Sequence, residues 1–176
     1  MFNVVLIRPE IPPNTGNIGR LCVATQSTLH LVKPLGFSLD DRQLKRAGLD
    51  YWAEVSLQLW DSFDALRRAH PREARYFFLT TKSKRPYYEV RLQRGDFLVF
   101  GRETKGLPEN LLSANIDSCV RIPMYGTRSL NLATAVAIVL FEAVRQQRWH
   151  KKPLDQRLRF VGQPGHPKRD AGTLNK

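Results

Sequence analysis

The stretch FLVFGRETKGLP, residues 97–108, decides how the chain is read. Phe97–Phe100 is a short continuous apolar run, as in a strand covered on both faces. It stops at Gly101, runs through three charged residues, and meets a second Gly and a Pro. An ordinary turn needs no such sequence. Similar runs recur at Phe2–Ile7, Leu29–Val32, Tyr76–Thr80 and Cys119–Ile122, and helical stretches lie between them at Asn17–Gln26, Asp41–Ala47, Asp61–Ala69 and Pro108–Ala114. Asp61 stands in N-cap position for the third of these, and Pro108 at the first turn of the fourth. Strands alternating with helices predict an α/β domain built on a mainly parallel sheet with helices on both faces.

In such a sheet the ligand lies beyond the carboxyl ends of the strands. Four of those ends carry Gly, Asn, Ser, Pro and basic residues together: RPEIPPNTGNIGR (8–20), TTKSKRP (80–86), GRETKGLP (101–108) and PMYGTRSLN (123–131). Four such loops predict one shared site. Pro12-Pro13 reads as an extended approach, with Asn14-Thr15-Gly16 turning into a helix that starts near Asn17. Arg20 would then sit in the first turn, where the helix dipole disfavours a cation. Two readings stay open for it: a phosphate-binding or catalytic group, or a surface arginine paired with Glu10.

Familiar chemistries find no support. There is no Walker A loop, no G-x-G-x-x-G and no G-x-S-x-G elbow. His30, His70, His150 and His166 are scattered without a Cys at ligand spacing, so no metal is expected. The net charge of +12 on 176 residues points to a polyanion, nucleic acid first. Cys22 and Cys119 lie in apolar contexts and read as reduced core residues of a cytoplasmic protein. The apolar stretch Leu130–Phe141 spans 12 residues, short of the roughly 18 a membrane span needs. Residues 129–149 form a helix apolar almost all round, either the central core helix of a monomer or a dimer contact, the latter favoured. Residues 150–176 hold seven Lys/Arg against two Asp, a net +5 that leaves +7 on residues 1–149. We read 1–149 as one domain and 150–176 as a loosely ordered basic tail, either solvated or in contact with RNA.

Together, PEIPPNTGNIGRLC, FGRETKGLP and RIPMYGTRSLNLATAVAIVLFEAVRQ, in that order, resemble the three motifs of the SPOUT superfamily, the trefoil-knotted RNA methyltransferases. KPLGF and DDRQLKRAGLDY, between the first two, are also similar. The nearest likeness is to the small TrmL/YibK-type enzymes that 2′-O-methylate the wobble nucleotide, cytidine or uridine 34, of tRNA. The resemblance covers about Met1 to Arg148. It implies a C-terminal trefoil knot, S-adenosylmethionine as cofactor, and a homodimer meeting through the knot and the helix 129–149. It implies a cofactor site of Leu79, Thr80, Gly101, Glu103, Gly106, Ile122, Met124, Ser129 and Leu130. Gly101 would let the backbone approach the cofactor, and Glu103 would order this loop or the partner subunit. Arg20 would be the central catalytic residue, with Asn14, Ser129 and Asn131 around it. A guanidinium is a poor base, so Arg20 is expected to bind the RNA phosphate and polarise the hydroxyl. Arg42, Lys45, Arg46, Lys82, Lys84, Arg85, Tyr125 and Arg128 are the expected contacts to the tRNA anticodon stem-loop, Tyr125 by stacking on a base. Alternatives are the same chemistry on ribosomal RNA, or a knotted RNA-binding module without activity.

Overall fold

A computed structural model describes residues 1–39 and 52–148. The expected helix Asp41–Ala47, the RNA-contact candidates Arg42, Lys45 and Arg46, Trp149 and the basic tail lie outside those residues. Six strands form one sheet: β1 (Asn3–Ile7), β2 (Thr28–Val32), β3 (Leu57–Trp60), β4 (Tyr76–Leu79), β5 (Phe97–Phe100) and β6 (Cys119–Val120), in the order β3-β2-β1-β5-β4-β6. Every pairing is parallel. The helices are α1 (Pro12–Thr25), α2 (Phe63–Ala69), α3 (Glu109–Ser113) and α4 (Leu132–Arg148).

Alternation along the strands gives the sheet two buried faces. Val4, Leu6, Leu29, Leu31, Leu98 and Phe100 meet Ile18 and Cys22 of α1 and Val136, Val139 and Leu140 of α4. Val5, Ile7, Val32, Phe78 and Val99 meet Phe63 and Leu66 of α2 and Leu112 of α3. Both cysteines are buried free thiols, and burial pushes that of Cys22 up to about 12.

Four expectations are corrected. The edge strand β3 has no counterpart in the sequence reading, because two of its four residues are exposed and the apolar pattern there is broken. α1 starts at Pro12, not near Asn17: both prolines occupy its first turn, where a missing N–H costs nothing. Arg20 therefore lies in the third turn, not the first, and the dipole gives no reason for its presence. Ser62, not Asp61, caps α2, its hydroxyl accepting from Ala65 N at 3.1 Å.

One polar cluster sits deep in the second face. Trp60 Nε1–H donates to His30 Nδ1 at 3.1 Å, which leaves Nε2–H to donate to Asn3 Oδ1, also at 3.1 Å. The neutral ring is thus fully used, and burial, then the neighbouring His70, lowers the His30 pKa to about 4. An unfolded histidine titrates near 6.5, so between those values the unfolded chain binds the extra proton. Stability from this group is complete above pH 6.5 and is lost as pH falls through 4. Urea unfolding at about pH 5 should show about 2 kcal/mol less stability from this group than at about pH 7.5, a difference that shrinks in His30→Gln.

Candidate functional site

At the carboxyl ends of β1, β4, β5 and β6, the following loops enclose a cavity of about 540 Å³. This volume lies in the range of small-molecule sites. Leu79, Phe100, Ile122, Met124, Leu130 and Leu132 supply apolar walls. Thr80, Ser129, Asn14 and Asn131 supply neutral polar groups, and Lys82, Arg102, Lys105 and Arg128 supply cations.

A chain of hydrogen bonds ties the three loops together. Asn131 Oδ1 caps α4, accepting from Ala133 N at 2.9 Å and Thr134 N at 3.3 Å. Its Nδ2 donates to Asn14 Oδ1 at 2.9 Å, and Asn14 Nδ2 donates to Glu103 Oε1 at 3.1 Å. One end of this chain is a carboxylate, which only accepts, and the other is a pair of helix amides, which only donate. Both asparagine amides are therefore held in one orientation. Glu103 also accepts from Glu10 N at 2.8 Å and Ile11 N at 3.2 Å. No side chain at Ile11 caps α1; instead a carboxylate some ninety residues on holds the two N–H groups just ahead of the helix, where it suits the helix dipole.

Glu10, absent from the expected set, fastens the same loops from the other side. Its carboxylate accepts from Thr104 Oγ1 at 2.7 Å and Thr104 N at 3.2 Å, and lies 3.6 Å from Arg102 Nη1. The Thr104 hydroxyl is the main reason its pKa is lowered. It stands inside the first motif, where the sequence presents it only as a candidate partner for Arg20.

Gly101, which lines the cavity, is also required by the chain's own packing. A Cβ there would lie 2.0 Å from Gly106 C and 2.2 Å from Leu107 N. The close neighbour is this chain's own backbone, where it turns back at Gly106 with φ +66°. Gly19 likewise makes room for the Trp52 ring, which a Cβ would meet at 2.9 Å.

Asn14, Leu79, Thr80, Lys82, Gly101, Glu103, Gly106, Ile122, Met124, Arg128, Ser129, Leu130 and Asn131 all line the cavity. Arg20, exposed on α1, is not among the lining residues, nor are Lys84, Arg85 and Tyr125. Tyr125 stands 97% exposed on the loop between β6 and α4. Arg102, Thr104 and Lys105 line the cavity without having been expected, although they lie in the quoted motif. Among the described residues no group of His, Cys, Asp and Glu could hold a metal ion, and no helix is long and apolar enough to cross a membrane.

The sequence model of the SpoU rRNA Methylase family matches residues 1–141. A tRNA (cytidine(34)-2′-O)-methyltransferase from Methylovorus glucosotrophus is 51% identical over 148 residues, covering 83% of this chain and 96% of that one. A solved structure concerning the 2-OH methylation of C/U34 on tRNA superposes with a TM-score of 0.80 at 49% identity, over 84% of this chain and 96% of the other. The SpoU methyltransferase AviRb from Streptomyces viridochromogenes, solved with its cofactor AdoMet, gives a TM-score of 0.73 at 26% identity, over 82% and 60%.

Proposed function

The chain belongs to the SpoU rRNA methylase family, and from this we propose that it transfers a methyl group from S-adenosylmethionine to the 2′-oxygen of the ribose of nucleotide 34, cytidine or uridine, in tRNA. The observation that carries the reading is the convergence of all three motifs on one cavity, locked together through Asn131, Asn14 and Glu103. The relatives that share about half their residues with this chain supply the substrate class.

The residues present fit the cofactor. The half-apolar cavity with a few fixed polar groups suits an adenosine, and Leu79, Ile122, Met124 and Leu130, which line it, would enclose its base. When bound, S-adenosylmethionine supplies a methyl on a sulfonium, already activated for attack by the ribose oxygen. The task left to the protein is alignment, which for well-oriented partners is worth up to about 7–11 kcal/mol. Asn14, Ser129 and Asn131 fix the acceptor ribose, and Arg128 and Lys82 at the rim attract the phosphates around it. Arg20 binds an RNA phosphate and polarises the hydroxyl.

Since Arg20 does not line the cavity of its own chain, it serves a second copy. This agrees with α4, which turns Val136, Val139, Leu140 and Ala143 inward yet leaves Phe141 50% exposed. We therefore read the protein as a homodimer through α4 and the knot region. The likeness to solved SpoU methyltransferases, at a TM-score of 0.73, supports the trefoil knot expected in the C-terminal part of the domain. Residues 1–149 are the catalytic domain and 150–176 a basic tail.

The test is transfer of labelled methyl to small RNA from cells lacking the gene, with the modified nucleotide mapped. A 2′-O-methyl group at nucleotide 34 is expected. Transfer to ribosomal RNA alone would move the substrate, and no transfer to any RNA would overturn the enzymatic reading.

A further inference from the structure

Beside the cavity, and sharing Thr80, Lys82 and Leu112 with it, a groove of about 630 Å³ opens between the loop after β4 and residues 109–119. Lys82, Lys84 and Arg85 line it, against Glu109 and Asp117. The loop is braced from within. Lys82 N donates to Thr80 Oγ1 at 3.2 Å, and Ser83 Oγ donates to Cys119 O at 2.8 Å while accepting from Arg85 N at 3.1 Å. Arg121 N donates to Arg85 O at 2.8 Å and fastens the far end to the segment just after β6. The three cations thus project from fixed backbone, not from a loose turn.

Lys82 stands where the two spaces join and is paired with Glu109. Both side chains are about two-thirds exposed, at 65% and 68%, so the pair is weak and a phosphate can take Lys82 over. Ile116, 71% exposed on the same groove, gives an apolar surface next to the cations. Cations clustered along a groove suit the phosphates of single-stranded RNA.

Building on the methyltransferase reading, we propose that this groove is a second nucleotide subsite, which holds the RNA nucleotide adjoining the methylated one. Lys84 and Arg85 bind its phosphate, and Lys82 passes from Glu109 to the RNA backbone as the strand enters. Glu109 competes with that phosphate and so restrains RNA binding.

The experiment measures binding of an anticodon stem-loop RNA to the full chain at several salt concentrations, together with calorimetry for S-adenosylhomocysteine. Replacing Lys84 and Arg85 together by alanine should weaken RNA binding about tenfold and flatten its salt dependence by about 1.4, two single-strand phosphate contacts. Cofactor affinity should not move. Glu109→Gln should tighten RNA binding several-fold. The double variant Arg68→Ala/Arg72→Ala removes the same charge near the amino end of β4 and should change binding far less. RNA affinity unaltered by the Lys84/Arg85 change, or lowered equally by the control pair, would overturn the subsite. Wild-type protein that binds this RNA through the groove but methylates none would leave the subsite standing and remove the enzymatic reading.

Discussion

Gly101→Ala is expected to abolish cofactor binding and to lower stability by about 3 kcal/mol or more. The added Cβ would lie 2.0–2.3 Å from Gly106 C, Leu107 N and Gly106 O, all of them backbone. A side chain could swing aside; backbone cannot without moving what it is bonded to. The obstructing segment is held by Gly106 N donating to Arg102 O at 2.9 Å, and by Leu107, only 6% exposed in the second core. Overpacking costs about 1–3 kcal/mol even where side chains can yield, so this site lies at or beyond the upper end. Residues 101–107 also form one wall of the cavity, and their displacement deforms it. Gly106→Ala is the informative contrast. Nothing lies within 4 Å of a Cβ there, and the cost is only the positive φ of 66°, about 1 kcal/mol. Urea unfolding and calorimetry with S-adenosylhomocysteine on both variants decide the matter. Equal, small losses would show that the crossing at Gly101 is not tight.

What could be read from the sequence depended on whether the cause was local. Continuous apolar runs marked β1, β2, β4, β5 and β6, because a strand covered on both faces has little choice of residue. β3 escaped notice: Gln58 and Leu59 face solvent at the sheet's edge, and Leu-Gln-Leu-Trp resembles many other segments. The loops of the site were legible as a group from their position after strands. Their bonding was not. Glu103 anchors Glu10 and Ile11 at the entry to α1, a partner some ninety residues away that residue types near Pro12-Pro13 cannot announce. The crowding at Gly101 is local, against Gly106 and Leu107, but it depends on how the turn between them closes, which residue types alone do not state. Glu10 stands in the first motif, but its partners Thr104 and Arg102, not Arg20, are brought to it only by the pairing of β1 with β5. Contacts between distant segments set the geometry of this cavity, and no local reading could supply them.

Arg20→Ala is expected to reduce turnover by about 10²–10³ while leaving cofactor affinity unchanged. Arg20 is exposed on the third turn of α1 and lines no part of its own cavity, so the cofactor loses no contact. A guanidinium fork can grip two phosphate oxygens at once and direct a further N–H at the ribose oxygen; an ammonium cannot do both from one plane. Arg20→Lys should therefore recover RNA binding better than it recovers rate. Service to a second copy adds a stricter test. Ser129→Trp fills the cavity from an exposed position and should be inactive by itself. In a mixed dimer of the two variants, one site contains both changes and the other contains neither. Mixing after mild denaturation should then restore about a quarter of wild-type activity if half the dimers are mixed and sites are shared across the interface. Were Arg20 to act within its own chain, each site of the mixed dimer would carry one lesion, and no activity would return. Near-normal turnover by Arg20→Ala would remove the residue from the chemistry altogether.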